Sequence, residues 1–184
     1  MAPPHQDSIA PRLVDIANHR EPACGATRVI AIDGPSGSGK TSLANRVGEF
    51  AGAPVLHLED LYQGWHGLES APPSVATILK SIAVGDIGRA ASWDWEAAQP
   101  GPDVAIGPCP LLIIEGVGAG ARLIAPFINL LVWVDGDVEH RRTRALARDG
   151  DTYAPWWETW AAQEREHFAR EQTHERAEVR LELA

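Results

Sequence analysis

The sequence predicts an α/β fold, a three-layer α/β/α sandwich built on a mostly parallel five-stranded sheet. Two observations carry this prediction. Short apolar runs alternate along the chain with segments whose apolar residues recur at helical spacing, and strands separated by helices pair in parallel with helices on both faces. The length of 184 residues suits one domain with a core of its own. In such sheets, ligands bind at the carboxyl ends of the strands.

The predicted elements follow one another along the chain. Five apolar runs form the sheet, at residues 28–33, 54–58, 111–115, 129–135 and 177–183. Helical periodicity covers residues 42–51, 74–84, 137–148 and 155–176. Residues 62–73 form a loop, and the irregular stretch 85–110 includes short edge strands near Ala90 and Val104. Residues 1–27 are an N-terminal extension with a short helix, and residues 28–184 are the main domain, with a lid around 137–150.

Composition and charge exclude several classes of protein. Apolar residues make up 45% of the chain and charged residues 22%, which argues against disorder. No apolar run approaches the roughly 20 residues that span a bilayer, and no signal segment is visible, so we predict a cytoplasmic protein without a membrane partner. The net charge of −9 argues against a nucleic-acid partner. Cys24 and Cys109 form no close pair and are predicted to be free thiols.

A phosphate-binding loop follows the first predicted strand. The run Gly34-Pro35-Ser36-Gly37-Ser38-Gly39-Lys40-Thr41 matches G-x-x-x-x-G-K-[ST] in full, between a strand and a helix that continues with Ser42. Glycines let the backbone amides converge on phosphate oxygens, and the helix N-terminus adds its positive dipole end. Lys40 is predicted to reach the β- and γ-phosphates, and the Thr41 hydroxyl to ligate Mg²⁺. The sequence therefore predicts a P-loop NTPase fold that binds ATP.

Two strand-end carboxylates complete the predicted site. Glu115 closes the apolar run Leu-Leu-Ile-Ile, as expected of an acid that holds the Mg²⁺ of a P-loop protein. Asp60 follows the second strand, beside Glu59. In a kinase the acceptor hydroxyl needs a base or an orienting carboxylate near the γ-phosphate. Asp60 is the residue predicted for that role.

An arginine-rich segment forms the predicted lid. Arg141, Arg144 and Arg148 recur at spacings of three and four, which places them on one helix face. Such a face suits a lid that closes over the phosphates, where Arg141 and Arg144 would bind nucleotide and Arg144 and Arg148 would stabilise the charge of the transition state. A solvated helix whose arginines pair with Glu139 and Asp149 is the alternative.

Aromatic residues in two predicted loops are candidates for the acceptor pocket. Tyr62 and Trp65 lie in one loop, and Trp93 and Trp95 in the other. Loops at the strand ends could bring these rings to a base or a sugar, on which they would stack. Trp156, Trp157 and Trp160 are spaced along a helix and are predicted to pack in the core.

The ordered motifs resemble those of the uridine kinase-like branch of P-loop kinases. The resemblance rests on Ala31–Thr41, Asp60-Leu61-Tyr62, Ile114-Glu115-Gly116-Val117 and Arg144 through Asp149, and it covers the chain from about Val29 to Leu183. It implies that Asp60 is the catalytic base and a magnesium contact, that Tyr62 lies near the nucleoside, and that Glu115 helps to hold the metal. It also implies that the arginines form a lid.

The predicted function is transfer of the ATP γ-phosphate to a hydroxyl of a small metabolite, with a nucleoside as the first acceptor. The cradle also reads much like that of cytidylate kinase, but the arginines that bind its monophosphate acceptor are not recognisable. A monophosphate kinase, another metabolite kinase and a non-kinase ATP-binding regulator remain alternatives. The guanine motif N-K-x-D and the transporter signature L-S-G-G-Q are both absent from the sequence. The oligomeric state is open.

Overall fold

A parallel sheet organises the chain, and the computed structural model describes residues 9–182 apart from the side chains of 148, 149 and 151. The strands are β1 (Arg28–Asp33), β2 (Val55–His57), β3 (Gly88–Asp94), β4 (Gln99–Ile106), β5 (Leu111–Glu115), β6 (Leu130–Asp135) and β7 (Val179–Glu182). Five of them form one sheet in the order β2-β5-β1-β6-β7, and every pairing in it is parallel. The predicted five-stranded parallel sheet is confirmed.

Helices cover both faces of this sheet. They are α1 (Ile9–Asn18), α2 (Lys40–Ala51), α3 (Ala71–Ala83), α4 (Val138–Tyr153), α5 (Trp157–Glu171) and α6 (Thr173–Arg176). Alternate residues of β1 enter different cores: Val29 and Ala31 pack with α3 and α5, whereas Ile30 and Ile32 pack with α1 and α2. Because strand side chains alternate between faces, the two cores are the two interlayer spaces of the predicted three-layer sandwich.

The N-terminal helix α1 contributes to one of these cores. Leu13 and Ala17 are buried against apolar residues of the sheet and of α2. A hydrophobic stripe at helical spacing needs such a partner surface, because burial of apolar area is what stabilises a helix of this length. Helix α1 is thus part of the same domain and belongs, with α2, to the helical layer on one face of the sheet.

Strands β3 and β4 form a separate antiparallel hairpin. This hairpin occupies the stretch where the sequence predicted only short edge strands near Ala90 and Val104. Its register shifts between Ala91 and Trp93, and it packs mainly on α3. The hairpin therefore carries Trp93 and Trp95 at one end, towards the chain that follows β2.

Two predicted helices have different bounds in the structure. Helix α4 extends to Tyr153 but consists of two helical segments, which the non-helical backbone of Gly150 (φ 54°, ψ −136°) separates. The predicted helix over 155–176 is split into α5 and α6 at Gln172, which adopts a left-handed conformation with φ 51°. Among the described residues, no helix has the length and apolar character required to cross a membrane.

Candidate active site

The phosphate loop connects β1 to α2 and adopts backbone angles that favour glycine. Gly34, Gly37 and Gly39 have φ values of 143°, 76° and 93°. The loop also runs against other backbone: a Cβ on Gly34 would meet Val134 O at 2.0 Å, and one on Gly37 would meet Arg141 O at 2.1 Å. A side chain at Gly34 or Gly37 is therefore excluded both by conformation and by space.

Asp33, the residue before this loop, stabilises the start of the loop through hydrogen bonds to backbone amides. Its Oδ1 accepts hydrogen bonds from the amides of Gly34 (2.7 Å) and Gly118 (3.0 Å), and its Oδ2 accepts one from Gly120 (2.9 Å). Burial raises the pKa of this carboxyl, and the three amides oppose that shift. Asp33 thus ties the phosphate loop to the segment after β5, as a structural rather than a chemical residue.

Lys40 begins helix α2 and lies inside the loop. Its side chain is 7% exposed, and Nζ donates a hydrogen bond to Pro35 O at 2.9 Å. The amides of the first turn of α2 face the same region, where the helix dipole is positive. The loop, Lys40 and the helix end together form a site for an anion of high charge.

Thr41, Glu115 and His57 meet beside the loop. Thr41 Oγ1 donates to Glu115 Oε1 at 3.1 Å, and His57 Nδ1 lies 2.7 Å from the same oxygen. The strand pairing explains this arrangement, since His57 and Ile32 both lie in register with Glu115 at the carboxyl ends of three adjacent strands. The hydrogen bond to Glu115 raises the pKa of His57 against the effect of its burial.

The donor atoms of this group fit a magnesium ion. A hydroxyl and a carboxylate are hard oxygen ligands, and Mg²⁺ in phosphate-transfer sites uses one or two protein oxygens together with substrate phosphates. Glu115 is 3% exposed, so its carboxylate is held within the protein next to the loop. Thr41 and Glu115, both predicted from the sequence as metal ligands, are brought together; Asp60, the third predicted ligand, is not part of this group of contacts.

One cavity of about 590 Å³ opens on the phosphate loop. The loop and the start of α2 form one wall with Ser36, Gly37, Gly39, Lys40, Thr41 and Ser42. Glu115 and Arg144 also line the cavity. The lining also includes aromatic and acidic residues, among them those predicted for the acceptor pocket, and we call this set the acceptor wall: Glu59, Tyr62, Trp65, Trp95, Tyr153 and Trp160. Most residues predicted for the site therefore border a single space, whereas the described residues of that prediction that do not line it are Gly34, Pro35, Ser38, Asp60, Trp93 and Arg141.

Glu59 and Asp60 occupy different positions although they are adjacent. The chain after β2 forms a 3-10 turn at Leu58–Leu61. Glu59 lines the cavity and its backbone carbonyl accepts a hydrogen bond from Trp95 Nε1 at 3.1 Å. Both acids are exposed, but Asp60 is not among the described residues that line the cavity. The assignment of the base to Asp60 stays a prediction from the sequence.

Tyr62 follows this turn in extended backbone and also lines the cavity. The buried hydroxyl of Tyr62 donates to Val117 O at 2.9 Å, which orients its ring. No local signal in the sequence distinguishes Glu59 from Asp60, because the two acids follow the same short strand side by side.

Aromatic rings pack against one another along the acceptor wall. Trp65 stacks on Tyr153 with ring centres 5.2 Å apart and an interplanar angle of 11°, and it contacts Trp95 at 4.8 Å. Trp160 meets Tyr62 edge to face at 4.8 Å. Trp93 lies over Gly64 and does not line the cavity among the described residues. Tyr153 and Trp160, which the sequence did not suggest for the site, come from α4 and α5.

The arginines of α4 contact the loop in different ways. Arg141 Nη1 donates to Ser36 O at 3.2 Å, and its Nε donates to Gly136 O and lies 3.3 Å from Asp135 Oδ1. Arg144 lines the cavity. The side chain of Arg148 lies outside the described part of the structure. Arg141 therefore braces the phosphate loop, and Arg144 is the described arginine that borders the cavity.

Comparisons with known proteins bear on the fold. No protein-family model matches the sequence, and no curated protein matches it. A structure named as a possible uridine kinase from Bacillus stearothermophilus superposes with a TM-score of 0.62 at 19% identity, covering 96% of each chain. A protein provisionally named a fructose transport system kinase, from Silicibacter, gives 0.61 at 16% identity over 97% of this chain and 98% of that one.

A third solved structure extends the range of similar proteins. D-glycerate 3-kinase from Cryptococcus neoformans superposes with a TM-score of 0.54 at 14% identity, over 92% of this chain and 88% of that one. At such identities the likeness concerns the fold. The resemblance to P-loop kinases that the motifs indicated is thus matched by the tertiary structure, and this chain has the P-loop kinase fold.

Proposed function

We propose that this protein is a kinase that transfers the γ-phosphate of ATP to a hydroxyl of a small metabolite, with a nucleoside as the first acceptor. One observation carries the proposal: a single cavity is lined both by the phosphate loop and by the acceptor wall, which consists of an acid and aromatic residues. Phosphoryl transfer depends mainly on positioning and charge stabilisation, which such a cavity provides.

The phosphate loop would bind the phosphates of ATP. The amides of the loop and of the first turn of α2 would bind the phosphate oxygens, and Lys40 would turn from Pro35 O to the β- and γ-phosphates. Arg144 borders the same space and would neutralise charge that develops on the transferred group. Arg141 would act indirectly, since it holds Ser36 O.

Magnesium would be held by Thr41 and Glu115. When bound, Mg²⁺ neutralises phosphate charge and orients the phosphates for transfer. His57 lies 2.7 Å from Glu115 Oε1 and Thr41 Oγ1 lies 3.1 Å from it, so this carboxylate is oriented by two partners. Its burial restricts it further.

The acceptor hydroxyl would be activated by Glu59. Its carboxylate would accept the hydroxyl proton while the oxygen forms a bond to the γ-phosphorus and the bond to the β-phosphate oxygen breaks, leaving ADP. Glu59 lines the cavity whereas Asp60 is not among the described residues that do so, and this difference supports Glu59 over the sequence-based choice. Geometry precedes pKa in the choice of a general base.

The chemistry of the acceptor wall favours a neutral acceptor with a planar ring. Tyr62, Trp65 and Trp95 offer aromatic surface for stacking. Among the described residues that line the cavity, two are basic: Lys40 in the phosphate loop and Arg144 in α4. Helix α4 contacts the phosphate loop through its first turn, at Arg141. A monophosphate acceptor would require basic residues on the aromatic wall as well.

A panel assay tests the proposal. ADP formation from MgATP should rise above slow hydrolysis when one class of hydroxyl compound is added, with nucleosides ahead of nucleoside monophosphates, sugars and glycerate. Lys40→Ala should abolish the stimulated rate in the same assay. If no acceptor stimulates ADP formation, the kinase assignment is wrong; if a sugar or glycerate does so instead, only the nucleoside assignment is wrong.

A further inference from the structure

A buried carboxylate behind the phosphate loop takes no part in the chemistry proposed above. Glu164 lies in α5 and is 6% exposed. Its Oε1 accepts a hydrogen bond from the Ser36 amide at 2.8 Å and another from Trp160 Nε1 at 3.0 Å. One oxygen of α5 is therefore bonded both to the phosphate loop and to a ring of the acceptor wall.

An acid at this place needs a physical reason. A buried carboxylate is costly unless donors compensate it, and a negative charge beside a site for phosphates repels the ligand. The two N–H donors offset the first cost, and hydrogen bonds to a charged acceptor are stronger than those to a neutral one. By accepting the hydrogen bond from the Ser36 amide, Glu164 fixes the orientation of that amide.

The peptide group between Pro35 and Ser36 is held from both sides. In a trans peptide the carbonyl and the amide point in opposite directions. Lys40 Nζ donates to Pro35 O at 2.9 Å on one side, and Glu164 accepts from the Ser36 amide at 2.8 Å on the other. Rotation of this peptide would break both bonds, so the orientation of the loop and the resting position of Lys40 depend on the same pair of contacts.

We propose that Glu164 is a positioning residue of the phosphate loop, which acts by accepting the Ser36 amide and which Trp160 keeps in place. The inference rests on the proposed function, because it concerns the same nucleotide site. Trp160 itself is anchored edge to face on Tyr62, 4.8 Å between ring centres. Through Glu164, the aromatic wall and the phosphate loop share one hydrogen-bonded atom.

The test measures binding of MgADP by calorimetry and the melting temperature of each variant. Glu164→Ala should weaken MgADP binding by at least about tenfold, because the Ser36 amide loses a charged acceptor. Glu164→Gln keeps an oxygen that can accept both bonds and should bind within about threefold of the wild type. Trp160→Phe keeps a ring but loses the donor, and should weaken binding less than Glu164→Ala does.

A stability control and a double variant separate positioning from general damage. Leu13→Ala removes a buried side chain from the core between α1, α2 and the sheet. It should lower the melting temperature without changing the MgADP dissociation constant. The pair Trp160→Phe with Glu164→Ala should bind no more weakly than Glu164→Ala alone, because both changes break the same bridge.

Three results would overturn the inference. These are unchanged MgADP binding in Glu164→Ala, loss in Glu164→Gln as large as in Glu164→Ala, and additive losses in the double variant. Failure of the proposed function has a different signature, since the wild-type protein itself would then bind no MgADP, and the inference would fall with it.

Discussion

Thr41 Oγ1 and Glu115 Oε1 lie 3.1 Å apart although 74 residues separate them in the chain. Thr41 follows the phosphate loop after β1, and Glu115 ends β5, the strand that pairs with β1 in parallel. The parallel register brings the two carboxyl ends to one edge of the sheet, which is where doubly wound folds bind their ligands. A hydroxyl and a carboxylate, both hard oxygen donors of the kind that Mg²⁺ prefers, thus lie side by side next to the phosphate loop.

Replacement of Glu115 should weaken the response to magnesium. We expect Glu115→Gln to raise the Mg²⁺ concentration for half-maximal phosphotransfer by at least about 10- to 100-fold, since loss of a residue that only orients a metal ligand usually costs that much in metal affinity or activity. The measurement is ADP formation against MgCl₂ at fixed ATP. Glu49→Gln, which removes an exposed carboxylate from α2, is the control. An unchanged magnesium response in Glu115→Gln would exclude Glu115 from the metal site.

Replacement of Glu59 and of Asp60 should have unequal effects. Glu59→Gln removes the acid that lines the cavity and should lower kcat by about 10²- to 10⁴-fold, the usual contribution of a general base, with ATP binding retained. Asp60→Asn should keep most of the activity, because Asp60 is not among the described residues that line the cavity. Single-turnover phosphotransfer measures both. The opposite ranking would restore the base role to Asp60.

An alanine at Gly37 should disable nucleotide binding for a steric reason. Its Cβ would lie 2.1 Å from Arg141 O, which is backbone and cannot rotate away. Gly52→Ala is the matched control, because Gly52 also has a positive φ of 61° but a Cβ there meets nothing within 4 Å. We expect Gly52→Ala to cost about 1–2 kcal/mol of stability from backbone strain and Gly37→Ala to lose MgADP binding in calorimetry. Equal binding by the two variants would contradict this account.

The ion pair between Arg20 and Glu178 should make stability dependent on acidic pH. The hydrogen bonds from Arg20, at 2.8 and 2.6 Å, lower the pKa of Glu178 from its usual 4.5. A lowered folded-state pKa means that this contribution is present above the unfolded-state pKa and is lost as the pH falls through the folded-state value. Because both side chains are well exposed, the contribution is small and sensitive to salt.

Melting curves of the wild type and Glu178→Gln test this pH dependence. The difference in melting temperature should be largest near neutral pH, shrink as the pH is lowered below 4.5, and decrease in high salt. A difference that stays constant across the acidic range would show that Glu178 contributes through packing and not through its charge.

Much of the fold could be predicted because its signals are local. A few consecutive residues are enough to predict the structure of the apolar strands β1, β5 and β6 and of the glycine-rich loop after β1. Helix and strand ends were less predictable: Gly150 divides α4 into two helical segments, and Gln172 ends α5 in a left-handed conformation that glycine would normally adopt. Backbone conformations of this kind depend on packing, and periodicity does not report them.

Contacts between distant segments account for what the sequence analysis missed at the site. Trp95 reaches the carbonyl of Glu59 across 36 residues, and Glu164 reaches the Ser36 amide across 128. The sequence pattern of α5 indicates only an amphipathic helix, and an acidic residue on such a helix is normally predicted to be exposed to solvent. No local property of Glu164 distinguishes it from an exposed glutamate.

The phosphate loop, its flanking strand and helix, and the acid at the end of β5 were determined by the sequence itself, because each depends on residue types at short fixed spacings. Which acid after β2 lines the cavity, which aromatic rings form its wall and which carboxylate holds the loop were decided only by the tertiary structure. The physical reason is that a side chain's direction follows from the backbone geometry of its turn and from the layer packed against it, and both arise from contacts between residues far apart in the chain.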